Sequence, residues 1–301
     1  MTSFLGKIVA SAIRIYTFPY RRKQKSLSSN VKLKLTPYIP PKGTEHTTEV
    51  YDGTKVEKLS ANFSNDKIIV HFHGGGAAMG MNDLYRKTAE RLLSAGKCDV
   101  YTIDYQVGKD KVHPSLLDEC TAAFFALTKK FYDKKIIAVG DSMGANFLLA
   151  SCFRARDNGF RLPDGIILVS PFLDMSASGE SYSVNCRKDP MYGIPFYQSK
   201  KKRCPKLRRI PPYVGNSDVR DPYLSSVFGT FENFCEVLVQ VGEYETSASD
   251  SAIFARRAEK YGVKVKLEIY DGMFHDFQYF APFLKESKLA WSSISEFIQR
   301  I

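Results

Sequence analysis

Residues 136–150, IIAVGDSMGANFLLA, place one serine, Ser142, two positions after Gly140 and two before Gly144, between an apolar run and a helix-like run. A serine on a tight strand-to-helix turn is lifted above the sheet edge, where its hydroxyl can attack an electrophile. Such a turn needs almost no side chain two positions to either side, because strand and helix pack against each other there. A helix that begins at the serine also directs its N-terminal amides toward negative charge developing in front of it. The alternative for the same pentapeptide is a glycine-bounded turn in which Ser142 only caps a helix.

A serine nucleophile needs donors for an oxyanion, a base and an acid to orient the base. The run HFHGGGAAMG (71–80) ends a strand-like stretch with three glycines, so the amides of Gly74, Gly75 and Gly76, with that of Met143, are candidates for the oxyanion hole. His73 is expected to hold that loop rather than act as base. Of the five histidines, His46 lies in a Thr-rich segment expected to precede the sheet, His71 falls inside a strand, and His113 precedes a proline at a helix start. His275, in YDGMFHDFQ, follows the strand-like VKLEIY and has a glycine-containing loop to present it, which makes it the candidate base. The acid belongs after the preceding strand, CEVLVQVG. Glu245 sits in the loop just past it, and Asp250, at the edge of a helical run, is the alternative.

These residues need elements to hold them. Short β-branched runs at 67–73, 99–104, 135–140, 165–170, 235–242 and 263–270 predict strands, several of them continuously apolar, as in a sheet covered on both faces. Helical patterns alternate with them. NDLYRKTAERLLSAG has Asn82 as its cap and ends at Gly96; HPSLLDECTAAFFALTKKFY, the run after Ser142, and SASDSAIFARRAEKYG repeat the theme. This alternation predicts an α/β fold with a mainly parallel sheet. VKLKLTPY and TKVEKLSA alternate apolar and polar residues, as antiparallel edge strands do. Residues 171–225 run without a period through prolines, tyrosines and basic residues, the signature of a lid or binding element.

The chain has 301 residues, 44% hydrophobic and 25% charged, which suits an ordered globular enzyme and excludes intrinsic disorder. Its net charge of +11 is concentrated in Arg21, Arg22, Lys23 and Lys25 and in a run from Lys200 to Arg209. No zinc-finger or RNA-binding signature accompanies these clusters, so they are expected to be solvated surface and no nucleic-acid partner is expected. The six cysteines show no CxxC pairing, so neither a zinc site nor a disulfide framework is expected, and a reducing compartment is the simpler inference. At the N-terminus, Lys7 and Arg14 interrupt the apolar stretch, against a spanning helix or a signal peptide. On a helical wheel Phe4, Leu5, Ile8, Val9, Ala12, Ile13, Ile15 and Tyr16 share one half and Lys7, Ser11 and Arg14 the other. Such a helix either folds back on its own domain or lies on a membrane.

Taken together, His73-Gly74-Gly75-Gly76, Gly140-Asp141-Ser142-Met143-Gly144 and Glu245 thirty residues before His275 resemble the hormone-sensitive-lipase-like family of α/β-hydrolases. DYQVGKDKVHPSLLDE, SPFLDMSAS (170–178) and DPYLSS (221–226) are similar to further family landmarks, so the resemblance spans roughly 60–300. The chain departs from the family pattern at Met143, Ala77, Gln106 and Glu245, where alanine, an aromatic, arginine and aspartate are usual; Ala77 and Met143 would line the pocket. The resemblance implies one α/β-hydrolase domain over 1–301, with cap elements at about 1–25 and 171–225. It implies hydrolysis of acetyl or short- to medium-chain acyl esters of lipophilic alcohols through an acyl-enzyme, with no metal or organic cofactor. The partners it implies are a small-molecule ester and, through residues 1–25, a membrane or lipid surface, in an intracellular protein, cytoplasmic or peripheral to the endoplasmic reticulum or lipid droplets. The alternative is a catalytically silent protein that keeps the fold to bind small molecules.

Overall fold

The computed structural model describes residues 2–22, 37–63, 66–193 and 211–301, without the side chains of 19–22. The basic runs at 21–25 and 200–209 and most of VKLKLTPY lie outside the described residues or side chains. Among the described residues, eight strands form one sheet: β1 (Thr44–Tyr51), β2 (Thr54–Ala61), β3 (Lys67–Phe72), β4 (Asp99–Asp104), β5 (Lys135–Asp141), β6 (Gly165–Val169), β7 (Glu236–Gly242) and β8 (Val265–Tyr270). Their spatial order is β1-β2-β4-β3-β5-β6-β7-β8, with β1, β2 and β4 antiparallel in turn and every other pairing parallel. The helices are α1 (Phe4–Arg22), α2 (Asp83–Gly96), α3 (Ser115–Lys130), α4 (Ser142–Asp157), α5 (Ser181–Val184), α6 (Ala248–Glu259), α7 (Phe277–Phe280) and α8 (Lys285–Arg300).

The strand pleat sorts apolar residues to two faces. Ile68, Val70 and Phe72 of β3 and Ile136 and Ala138 of β5 join the core beneath α3 and α4, with Phe124 and Phe147. Ile69, Ile137 and Val139 face the other way, onto Leu92 and Leu93 of α2 and Ile294 and Ile298 of α8. Burial on both faces accounts for the continuous apolar runs of the parallel strands. Asn82 caps α2, its side chain accepting from the Leu84 amide at 2.9 Å, as the sequence predicts.

Two of the longer elements lie outside the runs read from the sequence as strands or helices. TEHTTEVY forms β1, so His46 belongs to the sheet rather than preceding it, and its Nε2 lies 2.8 Å from Glu57 on β2. TKVEKLSA is antiparallel as predicted but lies one place in from the edge that β1 occupies. The second element is α8.

The N-terminal helix docks by an unexpected face. Gly6, Val9, Ala10, Ile13 and Thr17 turn inward, against a core that includes Met191, Met273, Phe277 and Leu284. A Cβ on Gly6 would meet Cε of Met273 at 2.8 Å, so the small residue sets the approach. Phe4 and Ile15 are 80% and 76% exposed, and Leu5 and Ile8 about half. The apolar half of the wheel is therefore split between a packed seam and an outward ridge. None of the described helices is long and apolar enough to cross a membrane. Cys98, Cys120, Cys152 and Cys235 are free thiols, but Cys186 is disulfide-bonded. That bond removes the support that cysteine spacing lends to a reducing compartment.

Candidate active site

Ser142 begins α4 where β5 ends, with φ 51°, a left-handed conformation that costs a non-glycine residue free energy. Close packing on either side holds it. A Cβ on Gly140 would lie 2.7 Å from Cα of Ala145, and one on Gly144 would lie 2.1 Å from the carbonyl oxygen of Phe72. Each glycine marks a point where α4 meets strand backbone with no room for a side chain.

The loops after β7 and β8 bring two more candidates to the same place. Nε2 of His275 is 2.9 Å from Oγ of Ser142, and Nδ1 is 2.9 Å from Oε2 of Glu245. The other oxygen of Glu245 accepts from the Gly242 amide at 2.6 Å and the Ser170 hydroxyl at 2.8 Å. All three side chains are buried. A neutral imidazole carrying its proton on Nδ1, toward Glu245, leaves Nε2 free to accept the serine proton. Burial pushes the His275 pKa down, but the facing charges of Asp276, Glu245 and Asp189 outweigh it and raise the value to about 10.

Asp250 lies elsewhere. Its Oδ2 accepts from the amides of Leu173 and Asp174 at 3.0 and 3.1 Å and from the Tyr182 hydroxyl at 2.8 Å. Burial holds its carboxyl well above the usual range. It organises the start of the 171–225 segment, and none of its hydrogen bonds reaches His275.

The glycine loop is fixed from behind. The His73 ring stacks between Tyr85 and Tyr105, with centroids 4.5 and 4.2 Å away, and its Nδ1 donates to the Gly74 carbonyl at 2.9 Å. Burial lowers its pKa to about 3, so it is a neutral spacer. The Tyr105 hydroxyl lies 2.9 and 2.7 Å from the carbonyls of His73 and Gly74. Because a trans peptide points N–H opposite to C=O, the amides of Gly74 and Gly75 face away from Tyr105. Gly75 and Gly76 have φ of 102° and 62°, and a Cβ on Gly74 would stand 3.0 Å from Cβ of Ser142. Among the described residues, no hydrogen bond takes up the amides of Gly75, Gly76 or Met143. The Met143 side chain is fully buried in the main core, so the residue offers the site its amide rather than a pocket wall.

The 171–225 segment touches this machinery directly. Asn185 donates to the carbonyls of Glu243 and Glu245 at 2.7 and 2.8 Å. Asp189 accepts from the amide and hydroxyl of Thr246 at 2.8 and 3.2 Å. The Tyr192 ring meets the His275 ring edge-on, centroids 4.9 Å apart. From α1, Arg14 donates to the carbonyls of Arg187 and Lys188, and Thr17 to that of Pro190 at 2.5 Å. Ser3 is held by Glu286 at 2.6 and 3.0 Å. Sequence reasoning missed Tyr105, Ser170, Asn185, Asp189 and Asp276 as site residues. Tyr105 and Ser170 lie in stretches marked by the resemblance, but no local pattern flags the other three. Among the described residues, no group of three or more His, Cys, Asp or Glu side chains is placed to hold a metal ion.

A family profile described as alpha/beta hydrolase fold matches residues 69–279. The chain is similar to an esterase from Acinetobacter venetianus, 32% identical over 81% of this chain and 78% of the esterase. It is also similar to an acetyl-hydrolase from Streptomyces hygroscopicus, 25% identical over 77% of this chain and 75% of the other. Among solved structures, an esterase from the bacterial hormone-sensitive lipase family superimposes with a TM-score of 0.79 and 26% identity over 96% of this chain and 98% of the esterase chain.

Proposed function

The chain belongs to the hormone-sensitive-lipase-like family of α/β-hydrolases and is a carboxylic ester hydrolase, and from that premise we propose that it acts through an acyl-enzyme on Ser142. His275 accepts the Ser142 proton as the hydroxyl attacks the ester carbonyl, and Glu245 steadies the imidazolium so formed. The amides of Gly74, Gly75, Gly76 and Met143 receive the developing oxyanion, each such donor contributing on the order of 10²–10³-fold in rate. His275 then gives the proton to the leaving alcohol, and water repeats the sequence on the acyl group. The observation that carries this reading is the unbroken chain from Ser142 Oγ through both nitrogens of His275 to Glu245.

The substrates proposed are acetyl or short- to medium-chain acyl esters of lipophilic alcohols. The similarity to an acetyl-hydrolase and an esterase supports this class. Such esters partition into lipid, and the outward ridge of α1 (Phe4, Leu5, Ile8 and Ile15), beside exposed Lys7, supports a peripheral contact of a basic protein with an anionic lipid surface. Residues 1–25 and 171–225 serve as cap elements, a role supported by the bonds linking α1, the 185–193 loop and the Glu245 loop.

The test is intact-mass labelling by a fluorophosphonate, followed by hydrolysis of p-nitrophenyl esters from acetyl to palmitoyl. A single adduct that disappears in Ser142→Ala, with turnover greatest on the shorter esters, is expected. Labelling that persists in Ser142→Ala would sink the nucleophile assignment.

A further inference from the structure

His275 faces a second carboxyl group that the triad does not use. Oδ2 of Asp276 lies 3.3 Å from Nε2 of His275, the nitrogen that also faces Ser142. Asp276 is buried, and its Oδ1 has no hydrogen-bond partner. Its backbone is left-handed at φ 52°, ψ 33°, and its amide donates at 2.9 Å to the Ser170 hydroxyl, which also binds Glu245. One serine thus ties Asp276 to the acid loop and keeps its carboxyl at the reacting edge of the imidazole.

We propose that Asp276 is a positioning residue for the proton, holding the imidazole of His275 in its cationic form from the Nε2 side and thereby setting the pH at which Ser142 becomes nucleophilic. The proposal rests on His275 being the base for Ser142. Only neutral imidazole can take the Ser142 proton, so a carboxylate beside Nε2 delays activity until the His275–Asp276 pair has lost its shared proton. Once the imidazolium forms during attack, the same carboxylate stabilises it. Asp276 therefore trades activity at neutral pH for activity at alkaline pH.

The other groups around the pair are known. Glu245 faces Nδ1; Asp189, from the 185–193 loop, adds negative charge at His275, and Asp141, at the end of β5, adds it at Asp276. The Tyr85 and Tyr279 hydroxyls, kept protonated by burial with these carboxylates nearby, are neutral, and the Tyr192 ring meets His275 edge-on. Asp141 is engaged at 3.2 Å with His71, which leaves its second oxygen without a partner. Burial drives the Asp276 carboxyl well up, while the carboxylates around His275 raise the imidazole. The two shifts agree in direction: the pair, titrating as a unit, gives up its proton late.

The experiment measures fluorophosphonate labelling rate and kcat/KM from pH 5 to 10.5 for the wild type, Asp276→Asn and Asp276→Gly, with Ser142→Ala as control. Asn tolerates left-handed backbone and Gly relieves it altogether. A change common to both variants therefore reports the carboxylate and not strain. The acidic limb is expected to move down by about 1–3 pH units in both variants, raising labelling at pH 7 and lowering the alkaline plateau. An acidic limb unchanged in both, or moved only in Asp276→Gly, overturns the proposal. If Ser142→Ala keeps wild-type turnover, the underlying base assignment fails instead, whatever the Asp276 variants do.

Discussion

At the scale of single residues, the site is a chain of proton donors and acceptors, and each link has its own expected loss. Ser142→Ala should lower kcat on the order of 10⁶-fold, and Glu245→Gln about 10⁴-fold, because the amide favours the wrong imidazole tautomer. Asp250→Asn is expected to leave both kcat and thermal stability little changed, since its amide oxygen can still accept from Leu173, Asp174 and Tyr182 and burial already disfavours the charge. Ester turnover and melting temperature measured on the three variants separate these outcomes; a larger kcat loss in Asp250→Asn than in Glu245→Gln would reverse the acid assignment. The nucleophile, base and acid candidates were legible because each follows a strand end, where chemistry collects in parallel sheets. Asp276 was not, because a carboxylate beside a histidine in sequence says nothing about which nitrogen it faces. Tyr105 escaped as a site residue for a related reason. Its role is to pin two carbonyls 31 and 32 residues earlier in the chain.

At the scale of elements, two packings decide the geometry. The helix α4 is pressed so closely on β3 that Gly144→Ala places a methyl 2.1 Å from one backbone oxygen and 2.4 Å from another. Neither can swing aside, so the substitution should cost at least about 1–3 kcal/mol in denaturant unfolding and abolish labelling in whatever folds. The other packing is that of α1. Its inner seam of Gly6, Val9, Ala10 and Ile13 explains why the helical wheel misled: size and not only polarity chooses the docking face, and small residues allow the closer approach. The outward ridge should matter at a lipid surface. Phe4→Ser with Ile8→Ser in the full-length chain is expected to reduce co-flotation with anionic vesicles several-fold while soluble-ester turnover is retained. Flotation equal to that of the unaltered chain would remove the lipid-surface reading. The strand β1 escaped detection because Thr and Glu alternate there at an edge that is mostly half-exposed, so no apolar period marks it.

At the scale of the whole molecule, the α/β alternation and the parallel order were legible because buried strands must be apolar on both faces, a constraint that composition cannot hide. The 171–225 segment was legible as an aperiodic lid or binding element, but not in its individual contacts. Its part in the site emerges from bonds to partners far away in sequence, such as Asn185 to Glu243 and Glu245 and Asp189 to Thr246. Arg14→Ala should loosen the loop at 187–190, which is expected to appear as faster amide exchange in 185–193 and a few-fold lower kcat; exchange unchanged there would show that α1 does not brace the loop. The separation of Ser142 and His275 by 133 residues has a consequence for how the protein is made. Between them in the sheet lie β6 and β7, and His275 reaches its position only after β8 has joined the edge. No partly built chain can therefore hold the nucleophile and its base together. During synthesis or refolding, catalytic competence should arrive with the last long-range strand pairing. A pulse of fluorophosphonate, applied at intervals, then becomes a clock for completion of the sheet.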